Sequence, residues 1–296
     1  MADKLQEPEL VYDAKATLGE GPVWDHRTGC LYWVDILENQ LHRFDPNHPD
    51  TSTRVSIKPY VSSIVPRQSG GIALTLQDGF YAFDLESRQL SLLAEVEATI
   101  TDNRFNDGKC DPAGRFVAGT MSMSDQPARG ALYTLDADHA VKRLLSDVHL
   151  SNGLAWTEDG KTLYHIDTPT RQVKAYDYNL QSGEIQNGRV VVQFPDDQGF
   201  PDGMTIDAEG MLWIAHWGGW QVSRWNPATG SKLGYVAVPA SQVTCCTFGG
   251  PNLDQLYITT ARIGLDEQAL EHQPAAGGLF RVSLGIKGLQ TSFYRG

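Results

Sequence analysis

The stretch "PDGMTIDAEGMLWIAHWGGWQVSRWN", residues 201–226, reads as one structural unit. A short apolar run leads to a D-A-E-G turn at Asp207, and two runs rich in Trp, Leu, Ile and Val follow, separated by Gly218-Gly219. Aromatic and β-branched residues bounded by Gly and Asp are the pattern of strands and turns. The pattern recurs as "CLYWVDILENQLHRFD" from Cys30, "GIALTLQDGFYAFDL" from Gly71 and "RFVAGT" with "GALYTLD" from Arg115. It returns as "TLYHIDTPTRQVKAYDY" from Thr162 and "QLYITTAR" with "GGLFRVSL" from Gln255. The leading apolar residues, Leu31, Ile72, Phe116, Leu163, Leu212 and Leu256, stand about 40–50 residues apart, the period of a four-stranded propeller blade. No helical periodicity persists beyond a turn or two. The expectation is all-β: a six-bladed β-propeller forming a single domain over 1–296, with "ELVYDAKATLG" (9–19) supplying a strand that completes the last blade.

Composition excludes several classes. With 41% hydrophobic and 20% charged residues, the chain has enough apolar material for a core. Its net charge of -12 argues against nucleic acid, which requires clustered Lys and Arg. The opening "MADKLQEPELVYD" lacks a signal-peptide pattern, and no apolar run reaches membrane-spanning length. The four cysteines, Cys30, Cys110, Cys245 and Cys246, show no C-x-x-C spacing, so a reduced, cytoplasmic protein is expected. Oligomeric state leaves no sequence signal.

The repeat picks out one position. Asp25, Asp111, Thr157 and Asp207 open the turn that precedes each hairpin, and five residues before them stand Glu20, Asn106, Asn152 and Asp202. An isolated Asn-Gly or Asp-Gly is ordinarily a turn, but here each unit already has its turn five residues later. Equivalent positions in a propeller are related by rotation, so these side chains converge at one end of the central channel. Ser62 is the second unit's candidate, and Cys245 or Cys246 the sixth's. Two carboxylates and two amides are oxygen donors suited to a hard divalent cation on the channel axis. Without one, Glu20 and Asp202 would repel each other in a low-dielectric pore. The adjacent glycines are expected to allow close backbone approach and unusual φ/ψ.

"LGEGPVWD", "RFNDGKCDPAGRFVAGTM", "SNGLAW", "PDGMTIDAEGMLWIA" and "GGPNLDQLYITTA" together resemble the senescence marker protein, gluconolactonase and regucalcin family, over essentially the whole chain. The resemblance implies a six-bladed propeller with one axial divalent metal that hydrolyses sugar lactones. It implies Glu20, Asn152 and Asp202 as metal ligands, Asp202 also as catalytic acid/base, and Arg104 and Asn106 as sugar-binding. In related phosphotriester-hydrolysing propellers the counterpart of Asn106 reaches the metal as well. Where regucalcin-type members carry a substrate-contacting glutamate after "AGTM", this chain has Ser124, followed by Asp125. The preferred aldonolactone is therefore open, as is the ion: Ca2+, Zn2+, Mn2+, Mg2+ or Fe2+.

A lactone is an activated ester, and its hydrolysis needs a polarised carbonyl and a nucleophilic water, both within reach of a bound cation. Asp202 could take the water's proton and return it to the ring oxygen, while Arg104 could hold hydroxyls or the product carboxylate. No H-E-x-x-H or G-x-S-x-G occurs. His165 and His216 read as packing residues, and Trp213, Trp217 and Trp220 as blade packing or an apolar wall for a sugar ring. Two rivals remain: a calcium-binding protein without catalysis, and a propeller scaffold with a structural ion. A phosphotriesterase or aryl esterase activity could use the same metal site.

Overall fold

The structure, a computed structural model, describes residues 2–296. Nearly all regular structure is β, and the one α-helix among the described residues is Glu267–His272. No helix there is long and apolar enough to cross a membrane.

Four sheets are separate four-stranded antiparallel meanders. A nine-stranded sheet holds two more such units, joined edge to edge through the single pair Trp217↔Gln242. The innermost strands are here labelled β1 (Gly19–Asp25), β2 (Ile64–Pro66), β3 (Asn103–Cys110), β4 (Ser151–Trp156), β5 (Phe200–Ile206) and β6 (Gln242–Gly249). They touch in cyclic order, β1 to β2 and onward to β6, and β6 packs back on β1. The units therefore close a ring, as in a β-propeller. The N-terminal Glu9–Tyr12 pairs antiparallel with Leu279–Ser283, so a strand from the start of the chain becomes the outer strand of the last unit.

Apolar side chains fill the spaces between neighbouring sheets. Ile166 and Ala155 of the fourth unit, for example, share a cluster with Met204, Ile206, Leu212 and Ile214 of the fifth. Trp213 belongs to the next cluster round, fully buried with its Nε1 donating to Asp207. Trp220, by contrast, is exposed. The turn aspartates are structural anchors: Asp207 also accepts from Arg224 Nε at 2.8 Å, and Asp111 accepts from Arg115 Nη1 at 2.8 Å and the Tyr178 hydroxyl at 2.6 Å.

Of the glycines following the predicted site residues, only Gly21 adopts positive φ, at 55°. Close approach explains Gly153 instead. A Cβ there would lie 2.7 Å from Met204 Cβ and 2.8 Å from the Asp202 carbonyl oxygen, both on the neighbouring inner strand. The ring is drawn tight where the candidate residues sit.

Two buried histidines, His165 and His216, are packing residues. His216 Nδ1 lies 2.8 Å from the Gln198 carbonyl, and the His165 ring nitrogen Nε2 lies 2.9 Å from Ser151 Oγ. Burial pushes both imidazoles down to about 3.

Gly153→Ala is expected to cost about 1–3 kcal/mol through overpacking between β4 and β5, read from the midpoint of urea denaturation. A variant as stable as the parent would show that the neighbouring strand yields freely. Because the histidine pKa values are depressed on folding, the unfolded chain binds protons that the native state does not. Their stabilisation is complete above about pH 6.5 and is lost as pH falls towards 3, by about 2 kcal/mol per histidine at pH 5. Denaturation at pH 7.5 and 5 should show a smaller loss for His216→Gln than for the parent; equal losses would place the acid sensitivity elsewhere.

Candidate metal centre and active site

Five of the six inner strands break register with their neighbour where the candidate residues lie: between Glu20 and Val23, Phe105 and Gly108, Asn152 and Leu154, Pro201 and Met204, and Val243 and Cys245. A bulge adds residues to one strand and re-aims side chains, here at one level of the channel. The approach to two of these strands is fixed by carboxylates. Asp35 accepts from the Thr17 and Leu18 N–H groups ahead of β1, and Asp167 accepts from His149 and Leu150 ahead of β4.

Glu20, Asn152, Asp202, Arg104 and Asn106 are all buried. Burial, with Asp202 and then Asp107 nearby, pushes the Glu20 carboxyl well above its ordinary value, against the Gly21 N–H bond and Arg104. Burial likewise raises Asp202. The Asn152 amide draws it back, Asp107 raises it further, and the Gly203 N–H and Arg104 lower it. Arg104 is brought down to about 10 by its own burial, opposed by Glu20, Tyr60 and Asp202. The structure thus assembles two carboxylates and a guanidinium within each other's fields.

Asn152 completes the group. Its Nδ2 donates to Thr168 Oγ1 at 3.1 Å, and that hydroxyl donates to the Pro201 carbonyl at 2.9 Å, tying β4 to the start of β5. Its Oδ1 is buried and has no hydrogen-bond partner. An orphaned amide oxygen beside two carboxylates with raised proton affinity is the donor set that a hard cation satisfies. Glu20, Asn152 and Asp202 therefore fit such an ion. Among the described residues no group of three or more His, Cys, Asp or Glu side chains could hold a metal, so any ion here relies on the mixed carboxylate and amide set.

Asn106 is already engaged at both ends of its amide. Oδ1 accepts from Arg104 Nη1 at 2.9 Å and Nδ2 donates to the Ser151 carbonyl at 3.0 Å. Arg104 Nη1 also donates to the Phe105 carbonyl at 2.7 Å. Asn106 thus orients the guanidinium. Ser124 stands apart on the exposed rim, its hydroxyl donating to Asp102 at 2.6 Å, and Ser122 donates to the same carboxylate. In the sixth unit the bulge falls at Thr244, whose hydroxyl binds the Gly19 carbonyl. Cys245 faces the channel, while the Cys246 thiol donates to the Trp213 carbonyl.

Sequence reasoning missed Asp107. It is buried, Oδ1 accepts from the Gly108 N–H at 2.7 Å, and Oδ2 has no partner. The signal was present in "NDG", where the acidic residue stands beside the aligned asparagine rather than on it. Asp107 lines a cavity of about 320 Å³ further along the inner strands, beside Lys109, Cys245 and the C-terminal Leu289–Ser292 segment. None of Glu20, Arg104, Asn152 or Asp202 lines that cavity, so the space belongs to the other side of the channel. The side-chain chemistry decides which end is the candidate active site, and it favours the end with the orphaned donor and the paired carboxylates.

The SMP-30/Gluconolactonase/LRE-like region model matches residues 18–262. YvrE of Bacillus subtilis, a candidate sugar lactone lactonase, is 41% identical over 281 residues, covering 95% of this chain and 96% of that protein. Human regucalcin is 42% identical over 294 residues, covering 97% and 98%. A crystal structure of a calcium-binding regucalcin from Agrobacterium tumefaciens superposes with a TM-score of 0.94 at 28% identity, covering 100% of this chain and 99% of that one.

Two buried carboxylates sharing the single guanidinium of Arg104 burden the metal-free fold. Asp202→Asn is expected to raise metal-free stability by about 1 kcal/mol, the usual sign when a functional charge is removed. Thermal denaturation in chelator measures it. A less stable variant would mean that the carboxylate serves mainly as an acceptor for its neighbours' hydrogen bonds.

Proposed function

The chain belongs to the SMP-30/gluconolactonase/LRE-like family, and we propose that it is a divalent-metal-dependent hydrolase opening sugar lactones to the corresponding acids. The fold in this reading is a single six-bladed propeller over 1–296, each four-stranded unit being one blade around an axial metal. The observation that carries the reading is the orphaned Asn152 Oδ1 beside the Glu20 and Asp202 carboxylates, with Arg104 held in the same buried group.

Glu20, Asn152 and Asp202 hold the ion. Once bound, it supplies Lewis-acid polarisation of the lactone carbonyl and acidifies water. Asp202 takes the proton of the attacking water and returns it to the departing ring oxygen. Arg104, locked by Asn106 and the Phe105 carbonyl, presents its remaining N–H groups to substrate hydroxyls or to the product carboxylate. Asn106 serves the sugar through Arg104. Ser124 acts at the rim, where its bond to Asp102 leaves a short hydroxyl for the outer part of the sugar. A mixed oxygen set of this kind accepts Ca2+, Mg2+, Mn2+, Zn2+ or Fe2+.

The relatives named regucalcin, and a structural neighbour described as calcium-binding, favour one second reading: calcium binding without turnover. Acid release from a panel of aldonolactones separates the two. Metal-stripped protein with each cation restored should turn over at least one lactone above spontaneous opening. Asp202→Asn should lose about 10²-fold or more in kcat, the scale of a lost general acid-base. Tight cation binding with no turnover on any lactone would sink the hydrolase reading and leave the calcium-binding one.

A further inference from the structure

The Lys109 ammonium makes an unusual connection. It leaves β3 and donates to the Met204 carbonyl on β5 at 2.6 Å, 95 residues away in sequence. Neighbouring inner strands in the ring are β3 with β4 and β4 with β5, so this bond is a chord that passes over one strand. It is short and charge-assisted, and Lys109 also lines the cavity on the far side of the channel.

The place where the chord lands gives it meaning. β5 leaves register with its neighbour after Pro201↔His216 and resumes at Met204↔Ile214, so the loose part of the strand is the pair Asp202-Gly203. Upstream, that bulge is pinned by Thr168 Oγ1 on the Pro201 carbonyl. Lys109 pins it downstream, at the first residue back in register. We propose that Lys109 is a positioning residue for Asp202: bonded across the channel to the Met204 carbonyl, it fixes the bulge on which the proposed acid/base and metal ligand is carried. The part that concerns turnover rests on the lactonase reading; the part that concerns the bulge does not.

The competing explanation is a simple counter-charge, since the ammonium also lies in the field of Asp107. The two roles predict opposite signs. Through charge alone, Lys109→Met removes the cation beside Asp107, whose charge acts on Glu20 and Asp202, and should tighten divalent-cation binding. As a strut, Lys109 is needed to hold a ligand in place, and its loss should weaken cation binding about tenfold or more.

Hydrogen exchange read by mass spectrometry over Phe200–Ile206, in chelator, tests the bulge without any metal. The strut requires at least tenfold faster exchange there in Lys109→Met than in the parent, with other inner strands unchanged. Calorimetric titration with Ca2+ and lactone kinetics follow. The expected pattern is weaker cation binding and a lower kcat at similar KM, largely recovered in Lys109→Arg, which keeps the charge and the donors. Should Lys109→Met not fold, Lys109→Gln, with a shorter neutral donor, takes its place with the same expectation. Unchanged exchange over 200–206, or tighter Ca2+ binding in the neutral variant, overturns the strut. If the parent opens no lactone and binds no cation, the lactonase reading falls while the exchange result still decides the role of Lys109.

Discussion

The pairing of Glu9–Tyr12 with Leu279–Ser283 is the constraint on which the rest depends. A ring of sheets with a free edge can open, and an unpaired strand edge is a liability. Here the first and last parts of the chain share one sheet, and Arg281 adds bonds to Glu9 across the seam. Closure fixes how far the inner strands stand from one another. At Gly153 the clearance is too small for a methyl group, so the ring sits at the limit of backbone contact where the site residues lie. Side chains there have few places to go except into the channel.

That geometry sets the electrostatics. Burial raises the proton affinity of Glu20, Asp107 and Asp202; Asp202 and Asp107 raise Glu20 further and Asp107 raises Asp202, with Arg104 the buried cation beside the site. A domain with only some 5–15 kcal/mol of net stability does not keep such an arrangement without a use for it. The turn aspartates show the contrast. Asp111 and Asp207 are equally buried, yet their oxygens are met by Arg, Tyr or Trp donors and backbone N–H groups. Buried carboxylates thus fall into two kinds in this fold: those such as Asp111 and Asp207, met by several side-chain and backbone donors, and Glu20, Asp107 and Asp202, each accepting from the N–H of the glycine that follows it.

The recurrence of apolar strand pairs and their spacing were legible in the sequence because strand alternation and turn chemistry are local. The separation of Asp202 from Asp207 was legible too, because a repeat compares each position with its counterparts. What could not be read were features set by the bulges. Whether Cys245 or Cys246 faces the channel depends on an extra residue at Thr244, and no local pattern announces it. Asp107 was hidden because it stands one residue off the repeat position that Asn106 occupies. Asn106 stood out by its repeat position as an oxygen donor and by the family resemblance as sugar-binding, but that its amide also holds Arg104 and the Ser151 carbonyl follows only from partners brought together by the fold. Lys109 gave no signal at all, since it bonds to a main-chain carbonyl, which has the same chemistry at every residue.

These hidden features share a physical logic. A metal ligand has to be held within a few tenths of an ångström, yet a bulge is the least constrained part of a strand because its ladder bonds are missing. The fold compensates with side-chain bonds to main-chain atoms beside the bulges: Thr168 to the Pro201 carbonyl, Thr244 to the Gly19 carbonyl, Asn106 to the Ser151 carbonyl and Lys109 to the Met204 carbonyl. Each lands one or two residues from a bulge; three join two different inner strands, and Thr168 ties the turn after Thr162–Asp167 to β5. Precision at the axis therefore comes from these cross-strand bonds rather than from the sheets themselves. It follows that substitutions which leave every proposed ligand in place can still disable the site.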